Sequence, residues 1–256
     1  MMRRLAALLA AAGLGLLAAA TPAAAQETPS LPNESWSFSG IFGSYDLAAA
    51  QRGFWVYYKV CSTCHSMKLL HYRDLAGIGL NEAQIKAIAA SVTVPKGVND
   101  QGEPISGPAL PADQFKSPFA NEQAASAALG AVPPDLSLIV NAREGHADYV
   151  YGILTGFRDP PPAGVSVPPG KYYNEYFPGH LISMPPPLHD DAVEYADGTK
   201  ATVPQMAHDV VTFLAWAANP ELVQRRQIGV RVVLFLMLMT GLTYASKRKL
   251  WSSVDH

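Results

Sequence analysis

Both cysteines of the 256-residue chain stand in one run, Cys61-Ser62-Thr63-Cys64-His65. Two thiols at this spacing can add to the two vinyl groups of a haem while the next residue offers an imidazole to its iron. The motif therefore predicts one haem c, attached covalently through Cys61 and Cys64, with His65 on the metal. Three other chemistries share parts of the pattern. A redox dithiol is expected among alternating strands and helices, which the flanking sequence does not show. A structural zinc site needs four ligands, and no second cysteine pair exists to complete one. A bare pair in an oxidising compartment would close into a disulfide and leave His65 without a task.

His65 fills one face of the iron, so the chemistry turns on the other. A thioether there raises the reduction potential and closes the sixth position, which makes an electron carrier rather than a gas-binding or oxygen-activating site. Of the seven methionines, Met1 and Met2 belong to an N-terminal leader and Met237 and Met239 to a C-terminal apolar run. Met67 stands too close to His65 to reach the opposite face. Met206 fits the apolar stripe of a helix with Val210, Phe213 and Ala217, where a core role is expected. Met184 lies in Leu181-Ile182-Ser183-Met184-Pro185-Pro186-Pro187, whose prolines stiffen the loop and forbid a helix after it. Met184 is the preferred sixth ligand, with Met206 and the histidines His71, His146, His180, His189 and His208 as rivals.

Helices must carry these groups. Asp46 can cap a helix running to Val60, with Leu47, Ala50, Phe54 and Tyr57 on one face, which delivers Cys61 at its end. Thr202-x-x-Gln205 resembles a capping box, Pro204 suits a first turn, and Pro220 ends a second amphipathic helix through Val210, Phe213 and Trp216. The two helices could cross at Gly53, where the missing side chain lets backbones approach. Shorter helical patterns follow Asn81, Asp135 and His146, the last ending at Gly156. Gly102–Pro118, Phe157–Tyr173 and Phe177–Pro187 are dense in proline and glycine and read as long loops, of the kind that serve function. The whole reads as one unit, mainly α.

Both ends carry membrane signals. Arg3 and Arg4 precede an apolar run from Leu5 to Ala20 and the small-residue site Ala23-Ala24-Ala25, a secretory leader over residues 1–25. Ile228–Ala245 holds a single charge, Arg231, and would span about 27 Å as a helix, enough to cross a bilayer. Lys247-Arg248-Lys249 and Trp251 close its far side. A buried core helix is the alternative for this run, and it would bury Arg231 unpaired. The chain therefore divides into an exported domain at 26–224, a transmembrane anchor at 225–247 and a cytoplasmic tail at 248–256. The exported domain carries 20 acidic and 11 basic residues, a formal charge of −9. That surplus argues against nucleic acid and favours a basic protein partner.

Taken together, these residues resemble the cytochrome c1 family. The resemblance runs through Trp36-Ser37-Phe38, Gly43-Ser44-Tyr45-Asp46, Gln51-Arg52-Gly53-Phe54, Cys61 to Ser66 and Arg73-Asp74-Leu75. It continues through Pro133-Pro134-Asp135-Leu136-Ser137, Ala142-Arg143, Asp148-Tyr149-Val150, Leu154-Thr155-Gly156, Tyr176-Phe177-Pro178-Gly179 and Met184-Pro185-Pro186-Pro187 to the C-terminal anchor. It implies a class I cytochrome c-like α domain with long loop insertions plus one C-terminal transmembrane helix. It also implies Met184 as the sixth iron ligand and Arg143 against a haem propionate. Pro134, Tyr149, Ile153, Leu154, Phe177, Ile182 and Pro187 would form the haem-pocket wall. By the same resemblance the chain is the haem subunit of a respiratory or photosynthetic quinol:cytochrome c oxidoreductase, the dimeric cytochrome bc1 complex. It would sit beside cytochrome b in the bacterial inner membrane, with its haem domain in the periplasm. It would pass one electron from the Rieske iron–sulfur protein to a basic c-type cytochrome, without oxidising quinol itself. The alternative is a membrane-anchored monohaem cytochrome c of another electron-transfer chain. One departure is visible: Ala128-Leu129-Gly130 stands where relatives commonly carry Asn, which removes the basis for a polar contact to the haem edge there.

Overall fold

The computed structural model describes residues 30–253, so the expected leader and the last three residues of the expected tail lie outside the described residues. Its helices are α1 (Leu47–Lys59), α2 (Glu82–Ala90), α3 (Glu122–Leu129), α4 (His146–Thr155), α5 (Val203–Ala218) and α6 (Leu222–Leu250). Two antiparallel hairpins join them, β1 (Thr93–Val98) with β2 (Pro104–Pro108) and β3 (Tyr172–Tyr173) with β4 (Leu181–Ile182). Strands β2, β3 and β4 fall in stretches that the proline and glycine content marks only as loop, and β1 lies just before the first of them.

Helix α1 starts where Asp46 caps it, accepting the N–H groups of Ala48 and Ala49 at 2.9 and 3.1 Å. Its buried face, including Phe54, Val56 and Tyr57, packs on α5. Burying side chains of this size contributes about 1.5–3 kcal/mol each. The helices meet at Gly53, as the sequence suggests. A Cβ added there would stand 1.9 Å from the Asp209 carbonyl oxygen and 2.9 Å from Phe213 Cβ, so the two backbones touch. Beside this contact the fully buried Asp209 carboxylate accepts from Arg52 Nε and Nη2 at 2.9 and 3.0 Å and from Gln205 Nε2 at 3.1 Å. Tyr45 Oη closes the far end of the crossing, donating to the carbonyls of Ala215 and Asn219.

Two local expectations are corrected. Thr202 caps α5 by accepting the Gln205 N–H at 3.4 Å, but the reciprocal half of the box is absent. The Thr202 N–H already donates to the Lys200 carbonyl at 3.0 Å, and the Gln205 side chain turns to the buried Asp209 carboxylate, the stronger acceptor. After Asp135 the chain makes successive turns instead of a helix. The Leu136 N–H is tied to the Ser66 carbonyl at 2.8 Å, so the backbone follows the cysteine-bearing loop rather than coiling on itself. By contrast α2 carries both halves of a capping box between Asn81 and Gln84. Helix α4 is set between Gly145, at φ +81°, and Gly156.

Helix α6 leaves the rest of the fold. It is long and apolar enough to cross a membrane, and none of its side chains is buried against the described residues. The core-helix alternative for this run therefore fails.

Candidate haem site

Helix α1 runs directly into a single 3-10 turn, Cys61–Thr63. The N–H groups of Cys64 and His65 both donate to the Cys61 carbonyl, at 3.1 and 2.8 Å, and Ser62 Oγ and Thr63 Oγ1 donate back to the carbonyls of Tyr58 and Val60. The end of α1 thus fixes the turn on which both thiols stand. Among the described residues the two cysteines are free of disulfide. Burial, with the neighbouring Cys64, pushes the Cys61 thiol up to about 12. A reactive redox dithiol needs the opposite, a depressed thiol at the positive end of a helix dipole, whereas these thiols follow the negative end. The zinc alternative fails too: among the described residues no three His, Cys, Asp or Glu side chains are grouped to hold a metal ion.

His65 Nδ1 lies 2.9 Å from the Pro134 carbonyl oxygen. A carbonyl only accepts, so this nitrogen carries the proton. Burial holds the imidazole below its ordinary pKa, against the opposing pull of the Pro134 carbonyl and Asp135. A neutral ring with its proton on Nδ1 keeps a free lone pair on Nε2, which is what iron ligation requires. Asp135 stitches this arrangement together. Its carboxylate accepts from Ser66 Oγ at 2.8 Å, from the Lys68 N–H at 2.9 Å and from the Ser137 N–H at 2.9 Å. The residues present therefore fit a covalently bound haem.

Met184 is half-buried, two residues beyond β4. Its loop is positioned by the β3–β4 pairing, in which Tyr172 faces Ile182 and Tyr173 faces Leu181, and by Lys171 Nζ donating to Ser183 Oγ at 2.7 Å. A residue not singled out from the sequence holds the hairpin to α4. Asn174 is fully buried, and its Nδ2 donates to the Ile153 carbonyl at 2.8 Å while its Oδ1 accepts the Tyr176 N–H at 3.1 Å. It thereby links the segments bearing Ile153, Leu154, Phe177 and Ile182. Within them Ile153 and Ile182 are buried, and Leu154, Phe177 and Pro187 half-buried. Leu154 and Pro186 also line a cavity of about 620 Å³ with Tyr172, Tyr173 and Leu188; neither His65 nor Met184 borders it.

The other candidate ligands named from the sequence have contacts of their own. Met206 is fully buried in the α1–α5 core. His208 stacks on Trp36 at 4.8 Å and His180 on Tyr173 at 5.6 Å. His146 Nδ1 meets the Val140 carbonyl, His189 Nδ1 the Asp190 carbonyl, and His71 the carboxylate of Asp74. Arg143 is exposed and donates to the Ala142 carbonyl at 3.1 Å, with no acidic partner within 4.0 Å among the described residues. Burial raises the nearby Tyr149 hydroxyl despite the Arg143 charge beside it. Pro134 is exposed, its carbonyl turned to His65. Leu129, at the position of the missing Asn, is exposed at the end of α3.

Residues 36–254 match the Cytochrome C1 family. The chain is 46% identical to cytochrome c1 of Rhodospirillum rubrum over 97% of each chain. It is 48% identical to the mitochondrial haem protein cytochrome c1 1 of Arabidopsis thaliana, over 96% of this chain and 81% of that one. It is also 44% identical to the cytochrome b/c1 of Bradyrhizobium diazoefficiens, over 95% of this chain and 39% of that longer one. With this similarity spread over nearly all of its length, the chain belongs to the cytochrome c1 family.

Proposed function

We propose that this chain is the haem-bearing electron carrier of a cytochrome bc1 complex, anchored by α6 in a bacterial inner membrane with residues 26–224 in the periplasm. A bound haem supplies a one-electron redox change. The protein supplies everything that makes this change useful. Cys61 and Cys64 would hold the group as thioethers, and His65 would present Nε2 to its iron, with Nδ1 fixed on the Pro134 carbonyl. Met184 would supply the second protein ligand to the iron from a loop that cannot relax into helix. Arg143, with no carboxylate of its own, would pair with a propionate. Tyr149, Ile153, Leu154, Phe177, Ile182, Pro134 and Pro187 wall the group from water. Within the complex the chain takes its electron from the Rieske iron–sulfur protein, beside cytochrome b in a dimeric assembly, and gives it to a basic c-type cytochrome. Quinol oxidation and proton translocation belong to the complex, not to this subunit. The leader at 1–25 is removed, and the anchor extends over 225–247 with the tail at 248–256 in the cytoplasm.

The observation that carries this reading is the tautomer imposed on His65 by Pro134 in a Cys-x-x-Cys-His turn at the end of α1. It is tested by reduced-minus-oxidised spectra of wild type and Met184→Leu, with carbon monoxide added to each reduced sample. Carbon monoxide binding by the mutant alone, with loss of its high potential, is the expected result. Ready binding by wild type, or an unchanged mutant, would overturn the ligand assignment and favour an open-site sensor or a histidine-ligated carrier.

A further inference from the structure

The turn before α1 carries two apolar side chains that the fold leaves outside. The Ser44 N–H donates to the Ser37 carbonyl at 3.1 Å and the Ser39 N–H to the Trp36 carbonyl at 3.0 Å, which closes a short loop. At its tip Gly40 takes φ +70°, and Ile41 and Phe42 follow, 68% and 83% exposed. Isolated exposed apolar residues need no explanation. Here two large neighbours are held outward by a hydrogen-bonded turn, and that turn is fastened to the base of α6. Arg226 Nη1 donates to the carbonyls of Phe38 and Gly43, at 2.8 and 3.0 Å, one on each side of the tip.

Arg226 stands two residues before Ile228, about 3 Å along the helix axis from the start of the apolar run. The loop is therefore pinned at the level where α6 would enter a bilayer. Arg225 is exposed beside it and adds to the attraction for anionic headgroups.

We infer that the Ile41-Phe42 turn is a second membrane contact, a wedge in the headgroup–acyl boundary that fixes how the haem domain stands on the bilayer. It rests on the reading of α6 as a membrane anchor. An interfacial apolar group is buried roughly 5–10 Å into that boundary. One helix alone leaves the domain free to tilt about its base, whereas a wedge rigidly tied to that base through Arg226 removes one such freedom.

The test places a nitroxide at Phe42→Cys, at Leu238→Cys within α6 and at Leu110→Cys on an exposed face of the domain. Each is made in the full-length haem-loaded chain, in vesicles of phosphatidylcholine and phosphatidylglycerol. With Cys61 and Cys64 consumed by haem, the introduced thiol is the sole labelling site. The relative accessibility to oxygen and to a water-soluble nickel chelate reports depth. The expected ratio at position 42 is several-fold above that at 110 and below that at 238. Nickel access at 42 equal to that at 110, with 238 still deep, overturns the wedge and leaves the anchor standing. A label at 42 shielded from both reagents shows a protein occupant and overturns the lipid assignment. Nickel access at 238 overturns the anchor and the wedge together.

Discussion

At the scale of single residues, Asp135 touches no expected ligand, yet three bonds to it hold the two strands of chain that set His65. Burial pushes its carboxyl up, but hydrogen bonds from Ser137, Lys68 and Ser66 outweigh this and hold it below the ordinary carboxylate range. A carboxyl whose pKa is lower folded than unfolded contributes stability above its unfolded pKa. That contribution is lost as pH falls through the folded value. Asp135→Ala removes a charged acceptor from three donors at once, and is expected to cost about 1.5–3 kcal/mol near pH 7 in denaturant unfolding. Asp135→Asn keeps one acceptor oxygen without the charge. Its stability should fall less steeply than that of wild type as pH is lowered from about 7 to about 3. Parallel pH profiles for the two proteins would remove the carboxylate from this account.

Among the elements, the α1–α5 crossing matters most, because α1 aims the cysteine turn and α5 is the surface it is aimed from. Gly53→Ala drives a methyl group into the Asp209 backbone at 1.9 Å, and backbone cannot rotate out of the way as a side chain can. The helices must separate or shift, loosening the adjacent Arg52–Asp209 pair. A loss of about 1–3 kcal/mol in thermal or urea unfolding is expected, and an unchanged melting curve would show that the crossing tolerates a wider spacing. This contact was legible in the sequence, as were the caps at Asp46 and Asn81 and the glycine stop of α4, because each depends on neighbours in the chain. What was not legible depends on distant partners. Asp135 reads locally as a helix cap, but its carboxylate and the next N–H are committed to the segment around Ser66. Gln205 reads as half of a capping box but serves a charge four residues on. Asn174 carries no local signal, since only burial between α4 and the β3–β4 hairpin makes its amide indispensable. The β3–β4 pairing is two residues per strand, too short for an alternating pattern to betray it.

For the whole molecule, the decisive quantity is the formal charge of −9 on residues 26–224. Several cations of the haem domain are already matched to carboxylates: Arg52 to Asp197 and Asp209, Lys86 to Glu82, Lys96 to Asp113 and Arg158 to Glu175. Exposed Asp191 and Glu194 follow the Met184–Pro187 loop within seven residues and have no ion-pair partner among the described residues. A basic acceptor approaching that side meets a field that accelerates encounter more than it tightens the final contact. Salt shortens the reach of this field, from about 30 Å at 0.01 M to about 8 Å at 0.15 M ionic strength. The second-order rate of electron transfer to a basic c-type cytochrome should therefore fall steadily across that range, while the intracomplex rate stays level. Charge reversal in Asp191→Lys with Glu194→Lys, which leaves the core and the expected haem ligands untouched, should lower the low-salt rate and flatten its salt dependence. A wild-type rate indifferent to salt would mean that the acidic surplus serves solubility alone. A salt-dependent rate that the double variant leaves unchanged would move the docking face away from the Met184 loop while preserving the electrostatic attraction.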